Sequence, residues 1–210
     1  MAQGRFITFE GGEGAGKSTQ VRRLAARLGA GREVVATREP GGSPGAEAIR
    51  ALLVQGEADR WSPVTETLLM YAARRDHIER VIAPALERGA WVVCDRFADS
   101  TRAYQGAAGG TDPALIRTLE TAILGAVRPD LTLVLDLPVA EGLSRAGGRG
   151  DAEGRFESKG AAFHERLRQA FLDIAAAEPE RCVVIDATRT PDEVEALIWA
   201  AVADRLKPHG

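Results

Sequence analysis

Residues 6–19 read FITFEGGEGAGKST, and this stretch decides the fold. Its apolar start has the composition of a buried strand, and a helical pattern over 18–28 follows it. Between the two, residues 11–18 match G-x-x-x-x-G-K-[ST], the glycine-rich loop that joins a strand to a helix. Glycines let the backbone curl, so that successive N–H groups and the helix N-terminus point at phosphate oxygens. The motif therefore predicts a binding site for a nucleoside triphosphate.

Two side chains of this loop are predicted to act on the triphosphate. Lys17 bridges the outer phosphates of ATP, and Ser18 is a ligand of the accompanying Mg²⁺. Lys17 is one of only three lysines, with Lys159 and Lys207, in a chain rich in arginine, so its place in the motif is informative. The residues predicted to bind ATP are Gly11, Gly12, Glu13, Gly14, Ala15, Gly16, Lys17, Ser18 and Thr19.

Outward from the loop, short apolar runs alternate with helical patterns. Strands are predicted at 6–9, 33–37, 91–94, 131–135 and 183–185. Helices are predicted at 18–28, 46–54, 63–87 with a kink near Pro84, 113–124, 139–146, 161–176 and 192–205. This alternation favours an α/β fold with a five-stranded parallel sheet flanked by helices. We expect one domain over residues 1–210, with a short lid at about 145–158.

Composition excludes several classes of partner. The net charge of −3 gives no general basic field for nucleic acid. No run is long enough to span a membrane and no signal peptide is recognisable, so we expect a cytoplasmic protein without a membrane partner. The two cysteines, Cys94 and Cys182, lie in apolar runs, which predicts buried thiols rather than a disulfide or zinc site.

Three classes of protein share this phosphate-binding loop, the P-loop, and other parts of the sequence distinguish between them. The chain contains no asparagine, which excludes the Asn-Lys-x-Asp segment of guanine-reading switches. The fourth strand ends at Asp136 but continues into Leu137-Pro138 without an acidic pair, which is unlike a motor ATPase. A monophosphate kinase needs arginines near strand ends and a lid that excludes water. The segment GGRGDAEG at 147–154, with its glycines and arginine, meets that second need.

Several segments together then resemble one family. They are TREPGG at 37–42, LLMYAARRDHIERVIAPAL at 68–86, DRFADSTRAYQG at 95–106, LVLDLP at 133–138 and RFESKGAAFHERLRQAFLDIA at 155–175. In this order they are similar to thymidylate kinases over nearly the whole chain. The resemblance implies the P-loop nucleoside-monophosphate-kinase fold and transfer of the ATP γ-phosphate to dTMP, giving dTDP for dTTP biosynthesis.

The resemblance also implies residue roles around the phosphates. Arg96 binds the acceptor phosphate and helps bridge it to the γ-phosphate, while Asp95 acts through the Mg²⁺ shell. Arg50 reaches the acceptor phosphate. Glu13 faces the 3′-hydroxyl of the acceptor sugar, which agrees with its charge, since a carboxylate aimed at the triphosphate would repel it.

For the nucleoside, the resemblance implies a pocket formed by Glu39, Pro40, Met70, Arg74, Thr101, Tyr104 and Gln105. Arg74 and Gln105 hydrogen-bond the base, with Thr101 nearby. Tyr104 packs by the deoxyribose or, equally well, serves as a core aromatic. Met70 stands where the family usually has a phenylalanine, and its thioether can still cover an aromatic face.

The resemblance also implies the bacterial arrangement of the lid, in which the catalytic arginine belongs to the lid. Gly14 occupies a position where some family members carry an arginine, so the lid supplies the candidates Arg145, Arg149 and Arg155. Of these, Arg149 and Arg155 are predicted to be catalytic, by placing positive charge between the two phosphates. The resemblance also implies a homodimer. The apolar face of residues 64–86 is a candidate surface for it, although a core role explains that face equally well.

Two competing functions stay open at this point. The chain could phosphorylate another nucleoside monophosphate on the same scaffold. It could also be a nucleotide-binding regulator that has kept the P-loop without catalysis. A panel of acceptors separates the first from dTMP phosphorylation, and ADP release that does not depend on an acceptor separates the second.

Overall fold

A computed structural model describes residues 4–57, 59–147, 156 and 159–207. Arg149 and Arg155, with most of the predicted lid at 145–158, lie outside the described residues.

The sheet has five strands, all parallel, in the order β2-β3-β1-β4-β5. The strands are β1 (Phe6–Glu10), β2 (Val34–Arg38), β3 (Trp91–Asp95), β4 (Leu131–Asp136) and β5 (Cys182–Asp186). The three central strands are buried almost throughout, which explains their continuous apolar sequence. Since β1 has β3 on one side and β4 on the other, the chain reverses direction across the sheet there. That reversal opens a crevice beyond the carboxyl end of β1.

Helices cover both faces of the sheet. They are α1 (Lys17–Gly29), α2 (Pro44–Val54), α3 (Pro63–His77), α4 (Ala83–Glu87), α5 (Ala98–Thr101), α6 (Pro113–Leu124), α7 (Val139–Gly147), α8 (Ala161–Ala177) and α9 (Pro191–Leu206). One buried cluster joins α1 and α9 to the sheet, for example Leu24 and Ile198 against Phe9 and Leu133. A second cluster joins α3 and α6 to β3, through Tyr71 and Ile116. The predicted strands and helices are thus confirmed, with ends displaced by one or two residues.

The helical run in which we predict a kink near Pro84 contains a π-helical segment just before that proline. The helical run over 63–87 is continuous but changes to π-helical winding over Ile78–Ile82, just before α4. Proline lacks an N–H and its ring clashes with the carbonyl four residues earlier, here that of Arg80 inside the π segment. The wider π-helical winding at this point relieves that clash.

One helical segment was not predicted from the sequence. After β3 the chain forms α5 and then a π-helical run over Arg102–Ala108, where no helical period is evident. Its small and aromatic residues Ala103, Tyr104 and Ala108 pack in a third buried cluster with Phe163 and Phe171 of α8. Tertiary packing rather than local propensity therefore forms this segment.

Both cysteines are buried and free, as predicted, at 0% exposure for Cys94 and 5% for Cys182. None of the helices in the described part of the chain combines the length and hydrophobicity that a membrane crossing requires.

Candidate active site

The loop between β1 and α1 lies at the crevice beyond the carboxyl end of β1. Gly14 has φ +70°, and a Cβ at this position would come within 2.1 Å of the carbonyl oxygen of Gly142 in α7. A side chain at residue 14 is therefore excluded unless α7 moves. This close approach explains on steric grounds why residue 14 is glycine here, whereas some proteins with the same loop carry an arginine at this position.

Lys17 is held inside the loop that it belongs to. Its Nζ donates to the carbonyl oxygen of Gly12 at 2.6 Å, and its side chain is 7% exposed. Burial, together with the positive charge of Arg96, lowers the pKa of Lys17 to about 8. A bound phosphate would supply negative charge beside Lys17 and Arg96 and would stabilise the charged form of Lys17. The ammonium is therefore placed to bind a polyanion.

Ser18 and Asp95 bring two oxygen ligands together. The Ser18 hydroxyl donates to Oδ2 of Asp95 at 2.6 Å, across the end of β3. Within the described ranges, no cluster of three His, Cys, Asp or Glu side chains could alone hold a metal. Mg²⁺ favours oxygen ligands and is bound in phosphoryl-transfer sites by one or two protein ligands plus phosphates and water, so Ser18 and Asp95 could serve as such ligands.

Arg96 adopts an unusual backbone conformation at the centre of the site. Its φ of +69° lies in the left-handed region, which for a residue other than glycine costs about 1–3 kcal/mol. Its guanidinium donates to the carbonyl oxygen of Gly11 at 3.0 Å and to Oε1 of Glu13 at 2.9 Å. The buried Glu10, which sequence reasoning missed, accepts from the backbone N–H of Phe97 at 2.8 Å. The turn after β3 is thus fixed from both sides.

Glu13 of the P-loop lies between the two arms of the site and is held by Arg96 and Tyr104. Besides Arg96, it accepts from the Tyr104 hydroxyl at 2.6 Å. Burial alone would raise the pKa of Glu13, but the charges of Arg96 and Lys17 outweigh it and lower the pKa to about 2. Tyr104 belongs to the buried cluster against α8 and also lines a cavity.

Two cavities meet at this point. The phosphate cavity, of about 240 Å³, is lined by Glu13, Gly14, Gly16, Lys17, Ser18, Arg38, Glu39, Arg50, Asp95 and Arg96. The acceptor cavity, of about 200 Å³, is lined by Glu13, Glu39, Pro40, Arg50, Val54, Met70, Arg74, Arg96, Phe97, Ser100, Thr101, Tyr104, Gln105 and Phe156. They share four residues, Glu13, Glu39, Arg50 and Arg96. The shared wall contains two arginines that can face both cavities.

Arg74 is buried in the floor of the acceptor cavity, with 2% exposure. It donates to Oε2 of Glu39 at 2.7 Å, to the Thr101 hydroxyl at 3.1 Å and to the carbonyl oxygen of Phe97 at 2.9 Å. His77, fully buried one turn further along the helical run, contacts the other oxygen of Glu39 at 3.0 Å. Arg74 and His77 therefore clamp Glu39, which precedes the cis peptide to Pro40.

The remaining predicted base contacts also come together. Met70 is half-buried on the cavity wall, whereas its neighbour Tyr71 points into the core, as the helix geometry predicts. Gln105 is 2% exposed, and its Nε2 donates to Oε1 of Glu66 at 2.8 Å. Thr101 lies one turn before Gln105.

Arg50 and Arg38 complete the basic side of the site. Arg50 donates to the carbonyl oxygen of Pro40 at 2.7 Å, which keeps it at the junction of the cavities. Arg38, which was not assigned a role from the sequence, pairs with Glu47 at 3.3 Å and lines the phosphate cavity. Its position at the end of β2 was the available signal. For His77 the signal was its i+3 spacing from Arg74 on one helix face.

Arg145, a lid candidate, contacts groups outside the two cavities. It pairs with Glu141 at 2.5 Å and donates to the carbonyl oxygen of Ala187 at 3.2 Å. Phe156, by contrast, lines the acceptor cavity and packs edge-on against Tyr104 at 5.6 Å between ring centroids.

Comparison with known proteins gives a consistent result. The family model described as thymidylate kinase matches residues 9–198. The thymidylate kinase of Caulobacter vibrioides is 69% identical over 98% of this chain and 99% of its own length. That of Bradyrhizobium diazoefficiens is 54% identical over 98% and 92%. The crystal structure of thymidylate kinase from Ehrlichia chaffeensis has a TM-score of 0.77 and 35% identity, and the match covers 95% of this chain and 99% of that one.

Proposed function

The chain belongs to the thymidylate kinase family, and on this premise we propose that it transfers the γ-phosphate of ATP to dTMP, giving ADP and dTDP. The observation that carries the proposal is the pair of cavities joined at Glu13, Glu39, Arg50 and Arg96. A phosphate bound on each side of that wall would meet the other across two guanidinium groups. Direct in-line transfer needs that arrangement and no phosphoenzyme.

On the donor side, the P-loop holds the triphosphate through backbone N–H groups and Lys17. The ammonium of Lys17 is already desolvated and fixed to the loop, so little reorganisation accompanies charge transfer. Ser18 and Asp95 would hold the Mg²⁺ that accompanies ATP, and the ion would supply positive charge to the phosphates.

On the acceptor side, Arg96 and Arg50 bind the phosphate of dTMP. Glu13, held ionised by Arg96 and Tyr104, accepts a hydrogen bond from the sugar 3′-hydroxyl. Arg74, Gln105 and Thr101 border the base, Met70 covers one ring face, and Pro40 supports the pocket. Tyr104 packs beside the deoxyribose.

We assign the catalytic lid role to Arg149 and Arg155, as the resemblance to thymidylate kinases implies. The pairing of Arg145 with Glu141 and Ala187 supports its exclusion from that role. We also propose that residues 1–210 form one kinase domain, whose described elements pack on a single sheet.

Two properties of the assembly follow the family. We propose a cytoplasmic homodimer, and the large exposed side chains Val64 and Leu68 on α3, at 44% and 48% exposure, support a docking face there. Sedimentation of the purified protein should give twice the mass of one chain. A monomeric mass at micromolar concentration would contradict the dimer.

The function is tested by ADP release from ATP and Mg²⁺, with dTMP, dUMP, dGMP, dCMP and AMP added one at a time. We expect strong stimulation by dTMP. Stimulation only by a different monophosphate would retain the kinase class and reject dTMP, and no stimulation by any acceptor would favour a regulator.

A further inference from the structure

The side-chain amide of Gln105 is held by Glu66, a buried residue that does not line the cavity. Its Nε2 donates to Oε1 of Glu66 at 2.8 Å, and both side chains are buried, at 2% and 4% exposure. Gln105 lines the acceptor cavity, whereas Glu66 is not among the described residues that line it. Glu66 therefore lies behind the cavity wall and contacts Gln105, which forms part of that wall.

The chemistry of the partner dictates which end of the amide faces it. A carboxylate only accepts hydrogen bonds, whereas an amide has a donor end and an acceptor end. Glu66 lies in the first turn of α3, where the helix dipole favours negative charge. A flipped Gln105 would place its oxygen against that carboxylate. The contact therefore holds Nε2 toward Glu66 and leaves Oε1 for the cavity.

Arg74 supplies the opposite polarity on the same wall. Three of its donor groups are taken by Glu39, Thr101 and the carbonyl of Phe97, and a guanidinium has five N–H bonds and no acceptor. Anything that Arg74 offers the cavity is thus a donor. Arg74 donates a hydrogen bond to Thr101, which lies one helical turn before Gln105. The donor groups of Arg74 and the acceptor oxygen of Gln105 therefore lie on neighbouring parts of the cavity wall.

Pyrimidine edges differ in just this pattern. Thymine and uracil carry the O4 acceptor beside the N3–H donor, whereas cytosine carries a 4-amino donor beside an N3 acceptor. A wall with a donor from Arg74 and an acceptor from Gln105 matches the first edge and opposes both groups of the second. A rotation of one amide would reverse half of this pattern.

We propose that Glu66 is a positioning residue that sets base selectivity, by locking the Gln105 amide with Oε1 toward the N3–H of a thymine or uracil acceptor. The inference rests on the proposed function, since it needs a pyrimidine monophosphate in the acceptor cavity. It goes beyond that function in assigning the rejection of cytosine to a residue that never contacts the substrate.

The variant Glu66→Gln tests the inference with almost no change in shape. A glutamine can accept from or donate to Gln105, so the amide becomes free to rotate. We expect the ratio of kcat/KM for dTMP over dCMP to fall about ten- to hundredfold, the range for one mispaired buried polar group. The KM for ATP should stay unchanged, and the dTMP to dUMP ratio should stay within twofold, because those two bases present the same edge.

Thr67→Val is the matched control. Thr67 is the next residue of α3, is fully buried, and hydrogen-bonds Thr111 rather than a cavity residue. We expect it to leave the dTMP to dCMP ratio at the wild-type value even if it lowers the melting temperature. Glu66→Asp keeps the carboxylate, and we expect it to retain more discrimination than Glu66→Gln at equal or lower stability.

The outcomes separate the inference from its premise. If wild-type protein shows no stimulation by dTMP, the proposed function fails first. If wild-type protein prefers dTMP and Glu66→Gln keeps the full dTMP to dCMP ratio, the function stands and the inference is wrong. A parallel loss with dTMP, dUMP and dCMP would also overturn it, because a merely structural role produces that result.

Discussion

The two cavities of the site are built in different ways. The phosphate cavity is formed largely by the P-loop backbone and by charged side chains at strand ends, such as Lys17 and Asp95. The acceptor cavity is formed mainly by uncharged and charged side chains from the segment after β2, from α2 and α3 and from residues 96–105. Two of them are held by buried partners: Glu39 by Arg74 and His77, and Gln105 by Glu66. Binding in the phosphate cavity depends mainly on charge, whereas binding in the acceptor cavity depends mainly on the orientation of its polar side chains. Single substitutions should therefore have larger effects on rate in the phosphate cavity and on selectivity in the acceptor cavity.

The largest effect is expected at Lys17. Lys17→Ala should lower kcat about 10²–10³-fold, as the loss of one preorganised donor does elsewhere. The reason is that its ammonium is buried within the loop and no other lysine lies among the residues of the phosphate cavity. Lys207→Ala is the matched control, because Lys207 is exposed near the end of α9. Wild-type turnover in Lys17→Ala would contradict the assigned role.

Asp95→Asn should have the next largest effect. We expect about ten- to hundredfold lower activity at low Mg²⁺, with partial recovery as Mg²⁺ is raised, because an amide is a weaker ligand for a hard cation. Activity is measured over a Mg²⁺ titration at fixed ATP. Asp186→Asn, at the exposed end of the edge strand β5, is the control. An unchanged Mg²⁺ dependence in Asp95→Asn would place the metal elsewhere.

The pH profile should distinguish the cavities without a mutation. Burial and Arg96 lower the pKa of Lys17 to about 8, so the free protein loses this positive charge as the pH rises through 8. We expect kcat/KM for ATP to fall about tenfold between pH 8.5 and 9.5, while kcat at saturating ATP changes less. Glu13, with a pKa lowered to about 2 by Arg96 and Lys17 against the effect of burial, stays ionised over the whole range. A flat kcat/KM to pH 9.5 would argue against Lys17 as the titrating group.

The smallest effect is expected at Met70. Met70→Phe should lower the KM for dTMP a few-fold through stacking on the base, and leave the KM for ATP unchanged. Steady-state kinetics with each substrate varied in turn measures both constants. A changed KM for ATP would show that the two cavities are not separable at this position.

The contrast between the cavities also explains what could be predicted from sequence. Lys17 and Ser18 could be predicted because the glycine-rich motif contains them, and Asp95 because the resemblance to thymidylate kinases assigns it to the Mg²⁺ shell. Glu66 and His77 were not, because each acts through a contact with a residue distant in sequence. The run over 102–108 was missed since its packing against α8, rather than any periodicity, makes it helical. The sequence shows glycine at position 14, where some family members have arginine, but only the structure shows that a side chain there would clash with the carbonyl oxygen of Gly142.

The most direct test of the joined cavities is the fate of the transferred phosphate. Protein, Mg²⁺ and ATP labelled at the γ-phosphate are mixed with and without dTMP, and the label is followed over one turnover. Direct transfer across the shared wall predicts label in dTDP when dTMP is present, with little inorganic phosphate released in either case. Rapid release of labelled inorganic phosphate without dTMP, or label on the protein itself, would contradict the account.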